Sequence, residues 1–420
     1  MKEVLILSLT KDTEEIVNLT RSLGYRVVKI FVQRRTNPDV NYWIGWGKLL
    51  EIKDFLAQTP PPSASNGKLV VVNGRLRPSQ QFKLEKALKT DVYDRLRLIL
   101  EIFADRAKSK EAKLQVELAK LSYEVPHIRE LIHRAKIGEH PGYMAGGAYK
   151  VEDYFELIRK QIKGIKKQLE HSRLQREVRR GSRRRKGFYL VSIAGYTNAG
   201  KSTLLNRLSG AEVRVNNRMF TTLSTKTQKM KLNERVLLTD TVGFISGIPN
   251  WLVDAFRSTF EEIEFADCII LLVDMSESSG KICRKTEVAL SQLMQWGVKS
   301  LIILAFNKID LVEREDLVIK KQELLRNNTL ASFNMVEISA EKEIGIERLI
   351  GLISQGLPGL LSLKISIPPY YTNEIFSWLK GKANIKNVKY KELTEIDVEC
   401  SMAVKKKLES FKGCKLIELT

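Results

Sequence analysis

One run, GFYLVSIAGYTNAGKST at 187–203, restricts what this chain can be more than any other. Phe188 to Ala194 is apolar and reads as a buried strand, and the turn from Gly195 to Gly200 leads through Lys201 and Ser202 into a helix pattern. The motif G-x-x-x-x-G-K-[ST] is complete, and it stands in the strand–loop–helix setting that it requires. Its glycines let the backbone curl so that several N–H groups converge on phosphate oxygens. Lys201 brings a positive charge to the outer phosphates, and the Ser202 hydroxyl suits Mg2+, a hard cation that prefers oxygen. The segment from Phe188 to about Pro358 is therefore expected to be an α/β domain around a phosphate-binding loop.

Two later phrases narrow the nucleotide. RVLLTDTVGF places Asp240 at the end of an apolar strand, where a carboxylate can hold the metal through its water shell, and Gly243 can offer its N–H to a γ-phosphate. LIILAFNKID ends another buried strand with Asn307, Lys308 and Asp310. An Asp310 carboxylate can accept from guanine N1–H and the exocyclic amine, whereas adenine would leave it unpaired. Lys308 can lay its stem over the base, and VEISAEKEIG sets Ser339, Ala340 and the following Glu341 where a backbone N–H can reach guanine O6. Motifs in this order predict a GTP-binding switch domain with GTP and GDP as substrate and product. The expected contacts run from Gly195 through Tyr196, Thr197, Asn198, Ala199 and Gly200 to Lys201, Ser202 and Thr203, then to the residues just named. The polar stretch RVNNRMFTTLSTKTQKM reads as a switch loop, in which Thr221, Thr222 and Thr225 all qualify chemically as metal ligands.

Many switch GTPases carry a glutamine directly after the glycine of D-x-x-G to orient the attacking water. Phe244 stands there, with no group for that task. Catalysis must then rest on Lys201, the Gly243 amide and Mg2+, with the water held by backbone, another loop or a partner. Slow intrinsic turnover is expected, and Phe244 is expected to pack against the N-terminal domain. The segment ISGIPNWLVDAFRSTFEEIEFAD reads as a loop and amphipathic helix placed to feel loss of the γ-phosphate, and Arg257 within it reads as structural.

At 420 residues the chain has room for two or three domains, and an apolar fraction of 43% can fill their cores. The spacing predicts strands and helices in alternation over 1–92, a small α/β domain with a flexible break at TPPPSASNG. Over 93–186 it predicts two long helices. Leu114, Leu118 and Leu121 share a face before Pro126, after which a charged stretch and the loop GEHPGYMAGGAYK intervene. Ile158, Ile162, Ile165 and Leu169 share a face of the second helix, and such seams predict an antiparallel hairpin. The GTPase domain occupies 187–358, and 359–420 reads as a small α+β module. The second helix ends in HSRLQREVRRGSRRRKG; its crowded arginines are either a solvated linker or a contact with a nucleic-acid backbone. The net charge of +21 favours a polyanionic partner. The N-terminus lacks the pattern of a signal peptide, no run is long enough to cross a membrane, and Cys268, Cys283, Cys400 and Cys414 lack zinc or disulfide spacing. A cytoplasmic monomer without stable membrane insertion is expected.

GYTNAGKSTL, TDTVGFI, AFRSTFEE, ADCIILLVDMS and VYDRLRLILEIFADRAKSKEAKLQVELAKLSY together resemble the HflX family of P-loop GTPases, a translation-factor-related class. The resemblance runs over about 1–360, and the basic composition suits an archaeal member. It implies GTP and GDP binding with Mg2+, and association with the large ribosomal subunit and its rRNA through the N-terminal domain and hairpin. In bacterial relatives it implies splitting or rescue of ribosomes. MFTTLST matches the family's F-A-T-L phrase, which implies that Phe220, Thr221 and Thr222 line the nucleotide and that Thr222, with Ser202 and Asp240, serves the metal. The hairpin loop GEHPGYMAGGAYK departs from the glycine- and arginine-rich family pattern, which implies a different tip contact. Two other readings share these motifs: a GTPase of ribosome assembly, and an RNA-binding scaffold with a structural nucleotide.

Overall fold

The computed structural model describes residues 2–58, 68–137, 147–210, 226–231, 233–241, 243–244, 249–326, 330, 332–357, 361–380, 383–400, 402–411 and 413–418. They form two compact units. One runs to Ser172 and takes in 249–257, and the other is built from the remaining described residues.

The first unit opens with β1 (Glu3–Ser8), α1 (Glu14–Ser22), β2 (Arg26–Val32), α2 (Trp46–Gln58), β3 (Leu69–Val72), α3 (Pro78–Leu88) and β4 (Val92–Tyr93). The strands pair in parallel in the order β2-β1-β3-β4. Leu5, Leu7, Val70 and Val72 are fully buried beneath Leu49, Ile52 and Leu84 of the helices, as apolar runs in a covered parallel sheet must be. The two-residue β4 is too short to show as a period in the sequence. Next comes α4 (Arg95–Arg106), capped by Asp94, whose carboxylate accepts from the Arg97 amide at 2.8 Å.

The hairpin follows as α5 (Lys110–Ile137) and α6 (Gly147–Arg185). The Arg129 guanidinium of α5 lies 5.5 Å over the Phe155 ring of α6, and Ile128, Ile158 and Ile165 are buried. The sequence ends the regular helix at Pro126, but α5 runs through it. The expected seam also shifts. Leu118 is buried with Ala112, Val116 and Ala119, while Leu114 and Leu121 are half-buried. The reason is that α5 is covered by α3 and α4 as well, so no single stripe describes it. The hairpin-loop residues 138–146 and the break at 59–67 lie outside the described residues.

The second unit contains β5 (Tyr189–Gly195), α7 (Lys201–Ser209), β6 (Lys226–Met230) and β7 (Asn233–Asp240). The chain then places α8 (Asn250–Ala255) in the first unit, on α5, where Phe256 meets Phe103 edge-on at 4.7 Å. Back in the second unit are α9 (Arg257–Glu264), β8 (Cys268–Asp274), α10 (Ser279–Gln295), β9 (Leu301–Asn307), α11 (Arg314–Leu325), β10 (Asn334–Glu337) and α12 (Ile346–Gly356). Strand order is β10-β9-β8-β5-β7-β6, parallel except for β6 with β7. Because β5, β7, β8 and β9 run in parallel, Gly195, Asp240, Asp274 and Asn307 all reach the same edge of the sheet.

The C-terminal residues fold as β11 (Leu361–Ile367), α13 (Pro369–Leu379), β12 (Asn384–Lys389), β13 (Thr394–Cys400), α14 (Met402–Glu409) and β14 (Lys415–Glu418). The antiparallel order β12-β13-β11-β14 is that of a split βαβ sheet, with Ile365, Ile396 and Val398 buried beneath Ile375, Leu379 and Leu408.

Part of the basic end of α6 is engaged within the protein: Arg173, Arg176, Arg180 and Arg183 pair with Glu261 and Glu262 of α9, while Arg179 is exposed. No helix among the described residues is long and apolar enough to cross a membrane.

Candidate functional site

The loop from Gly195 to Gly200 turns on three positive φ angles: 149° at Gly195, 66° at Asn198 and 95° at Gly200. The glycines are also sterically required. A Cβ on Gly195 would stand 2.8 Å from the Leu272 carbonyl oxygen, and one on Gly200 would stand 2.3 Å from Asn307 Nδ2. The loop delivers Lys201, Ser202 and Thr203 to the first turn of α7. Lys201 Nζ donates to the carbonyls of Gly195 at 3.0 Å and Tyr196 at 2.7 Å, so its charge lies inside the ring of the loop. Burial pulls its pKa down to about 8, against the opposing pull of the Asp240 carboxylate.

Ser202 Oγ donates to Asp240 Oδ2 at 2.9 Å. A hydroxyl and a carboxylate side by side at the end of β7 form an all-oxygen donor set, the chemistry a hard divalent cation takes. Thr241 fixes the strand end by donating to the Ile193 carbonyl at 2.8 Å. Gly243 then passes so close that a Cβ there would lie 2.8 Å from Lys201 Nζ and 3.0 Å from the Thr197 amide nitrogen. Phe220, Thr221, Thr222 and Thr225 lie outside the described residues.

Asn307 ties two loops together. Its Nδ2 donates to the Ala199 carbonyl at 2.7 Å, and its Oδ1 accepts from the Ala340 amide at 3.0 Å. The side chain that the sequence offers as a nucleotide contact is therefore engaged in holding the phosphate loop against the Ser339–Glu341 loop. Lys308 adopts the left-handed conformation, φ 65°, and its Nζ pairs with Asp274 at 2.6 Å. Asp310 follows on the short 3-10 turn Ile309–Leu311 and is exposed. Ser339 is buried, accepting at Oγ from the Lys342 amide at 3.0 Å. Arg207 of α7 braces this loop by donating to the carbonyls of Ala340 at 3.3 Å and Glu341 at 3.2 Å. Reasoning from the sequence missed Asp274 and Arg207. An acidic residue closing the strand CIILLVD was a signal for the first; nothing local marks the second.

Phe244 is buried, and its ring lies 5.7 Å from that of Trp296 and 6.3 Å from that of Tyr196, both in the second unit. Its amide donates to the Gly195 carbonyl at 3.0 Å, so the segment after Asp240 is stitched to the phosphate loop.

Comparison with known proteins agrees with this geometry. Residues 190–308 match a family described as 50S ribosome-binding GTPase. Residues 10–104 match GTP-binding GTPase N-terminal, and 106–183 match GTP-binding GTPase Middle Region. The GTPase HflX of Thermococcus kodakarensis is 41% identical over 392 residues, covering 91% of this chain and 87% of the relative. That of Methanocaldococcus jannaschii is 38% identical, covering 83% of each. A crystal structure of SsGBP in complex with GDP is 29% identical with a TM-score of 0.52, covering 84% of this chain and 98% of that one. The buried lysine, the serine–aspartate pair and the two stitched loops thus stand in a chain that belongs to the HflX family of GTPases.

Proposed function

We propose that this GTPase is a nucleotide-gated switch that acts on the large ribosomal subunit in the cytoplasm. The observation that carries the switch is the Lys201 ammonium inside the ring of Gly195 and Tyr196 carbonyls, with Gly243 pressed against it. With GTP bound, that charge and the amides of the loop would surround the outer phosphates, and the Gly243 amide would lie beside them. Mg2+, held by Ser202 and Asp240 with Thr222 as a further ligand, would neutralise charge on the β and γ phosphates when bound. Asp310 would accept from the guanine edge, with the Lys308 stem alongside and a backbone N–H of the Ser339–Glu341 loop reaching the base oxygen. Phe244 brings no polar group, so the attacking water is oriented by backbone or by a docked partner, and turnover is slow until docking.

The choice of subunit is supported by the description of the 190–308 match and by the net charge of +21, which suits an rRNA surface. Four free cysteines suit a reducing compartment. Sedimentation with purified large subunits in GTP, GDP and a non-hydrolysable GTP analogue tests the proposal. The protein is expected to travel with the subunit in the analogue and to be released in GDP. Equal binding in all three would overturn the switch, and failure to bind in any would overturn the partner.

A further inference from the structure

The segment that leaves Gly243 is joined by side chains to the end of α6. Phe244 stacks on Trp296 with ring planes 30° apart, and Trp296 lies 4.3 Å from Phe260 of α9. The neighbour of Phe260 is Glu261, whose side chain is only 4% exposed. Its Oε2 accepts from Arg176 at 3.2 Å and Arg180 at 3.4 Å, and its Oε1 lies 3.7 Å from Arg173 Nε. Arg183 reaches Glu262 at 3.6 Å, and the Arg180 guanidinium also lies 4.0 Å over Phe265. Residues 173, 176, 180 and 183 recur at three, four and three residues, which is one face of a helix. Arg179, off that face, is exposed.

We propose that Glu261, clamped by Arg173, Arg176 and Arg180, is a positioning residue for GTP hydrolysis. The inference rests on the switch reading above and adds its mechanical support. A carboxylate shielded from water and shared by several guanidinium groups is held in place far more firmly than a solvated pair. Fixing Glu261 fixes α9, and α9 fixes Phe260 against Trp296 and Phe244. Phe244 is covalently next to Gly243, so the aromatic stack sets how closely the Gly243 amide approaches the head of Lys201. The arginines belong to the same helix that forms the second arm of the hairpin, so force on that helix has a route to the chemistry. A clamp that served folding alone would alter stability and leave the hydrolytic step untouched. One that positions Gly243 alters the step that involves the γ-phosphate and spares GDP, which lacks that group.

The test uses the full chain with Glu261→Gln, Arg176→Lys and the double variant. Each single change is expected to lower single-turnover GTP hydrolysis about tenfold while GDP affinity stays within about twofold. The double variant is expected to fall no further than the worse single one, because both remove the same constraint. A folded Glu261→Gln protein that hydrolyses GTP at the unmodified rate overturns the proposal. So does a loss of hydrolysis matched by an equal loss of GDP affinity and melting temperature. Arg176→Lys keeps the charge and volume, and it carries the same reading should Glu261→Gln not fold. Lys201→Ala is run alongside. If it hydrolyses GTP normally, the nucleotide-site reading itself has failed, and the clamp is not what was measured.

Discussion

Lys201 shows how one side chain sets opposite demands on folding and on binding. Its ammonium is nearly buried, and its pKa falls from 10.5 to about 8. That shift corresponds to roughly 3 kcal/mol of unfavourable burial at neutral pH. An unfolded chain keeps this proton up to 10.5, so between about 8 and 10.5 the unfolded state binds more protons and Lys201 makes the nucleotide-free protein more stable as pH rises. Phosphate binding needs the ammonium, so nucleotide affinity must run the other way. GDP affinity measured by titration calorimetry is expected to be flat below about 8 and to weaken by up to about tenfold per pH unit above it. Lys201→Arg, charged throughout, should remove that bend. The glycines around this amine are required by space as well as by conformation, since every Cβ placed on Gly195, Gly200 or Gly243 meets an atom within 2.8 Å.

Among the elements, α5 is the one whose sequence argues against its structure. Proline in a helix interior removes a hydrogen bond and crowds the preceding turn, at about 3 kcal/mol. Yet Pro126 sits inside α5, and the next residue, His127, places its ring nitrogens 3.0 Å from the Tyr123 carbonyl and 2.9 Å from Gln81 Oε1 of α3. Tyr123 in turn donates toward Gln81 at 3.3 Å. Polar contacts between α5 and α3 therefore offset part of the proline's cost. Pro126→Ala is expected to raise the melting temperature by a few degrees, the equivalent of about 1 kcal/mol, because alanine restores the backbone donor and relieves the crowded turn. A lowered melting temperature would show that the proline is what aligns His127 with Gln81. The end of α6 makes the complementary point. Its arginines look like a nucleic-acid patch because their charges are obvious in sequence, whereas their acidic partners on α9 lie roughly eighty residues further along the chain.

For the whole molecule, four arginines of α6 are engaged internally, yet the net charge of +21 still leaves a large surplus for a polyanion. Binding to the large subunit is expected to weaken steeply with salt, losing about tenfold or more between 50 and 200 mM, as several neutralised phosphates require. A flat response in sedimentation would show that protein contacts rather than rRNA carry the association. The fold was legible in the sequence wherever one local pattern serves one element. Buried strands such as CIILLV and LVVV are continuous apolar runs, and the phosphate loop needs its glycines and lysine within eight residues. The outline of the site was legible for the same reason, since parallel strands bring their C-terminal ends to one edge whatever the side chains elsewhere. Other features depend on which distant groups meet. Asn307 ties Ala199 to Ala340, Asp274 holds Lys308, Phe244 stacks on Trp296, and Glu261 gathers arginines from another helix. Periodicity and propensity act over a few residues, so they determined the elements and the loop chemistry. Pairings across long stretches of chain are selected by the packing of completed elements, and only the tertiary structure could decide them.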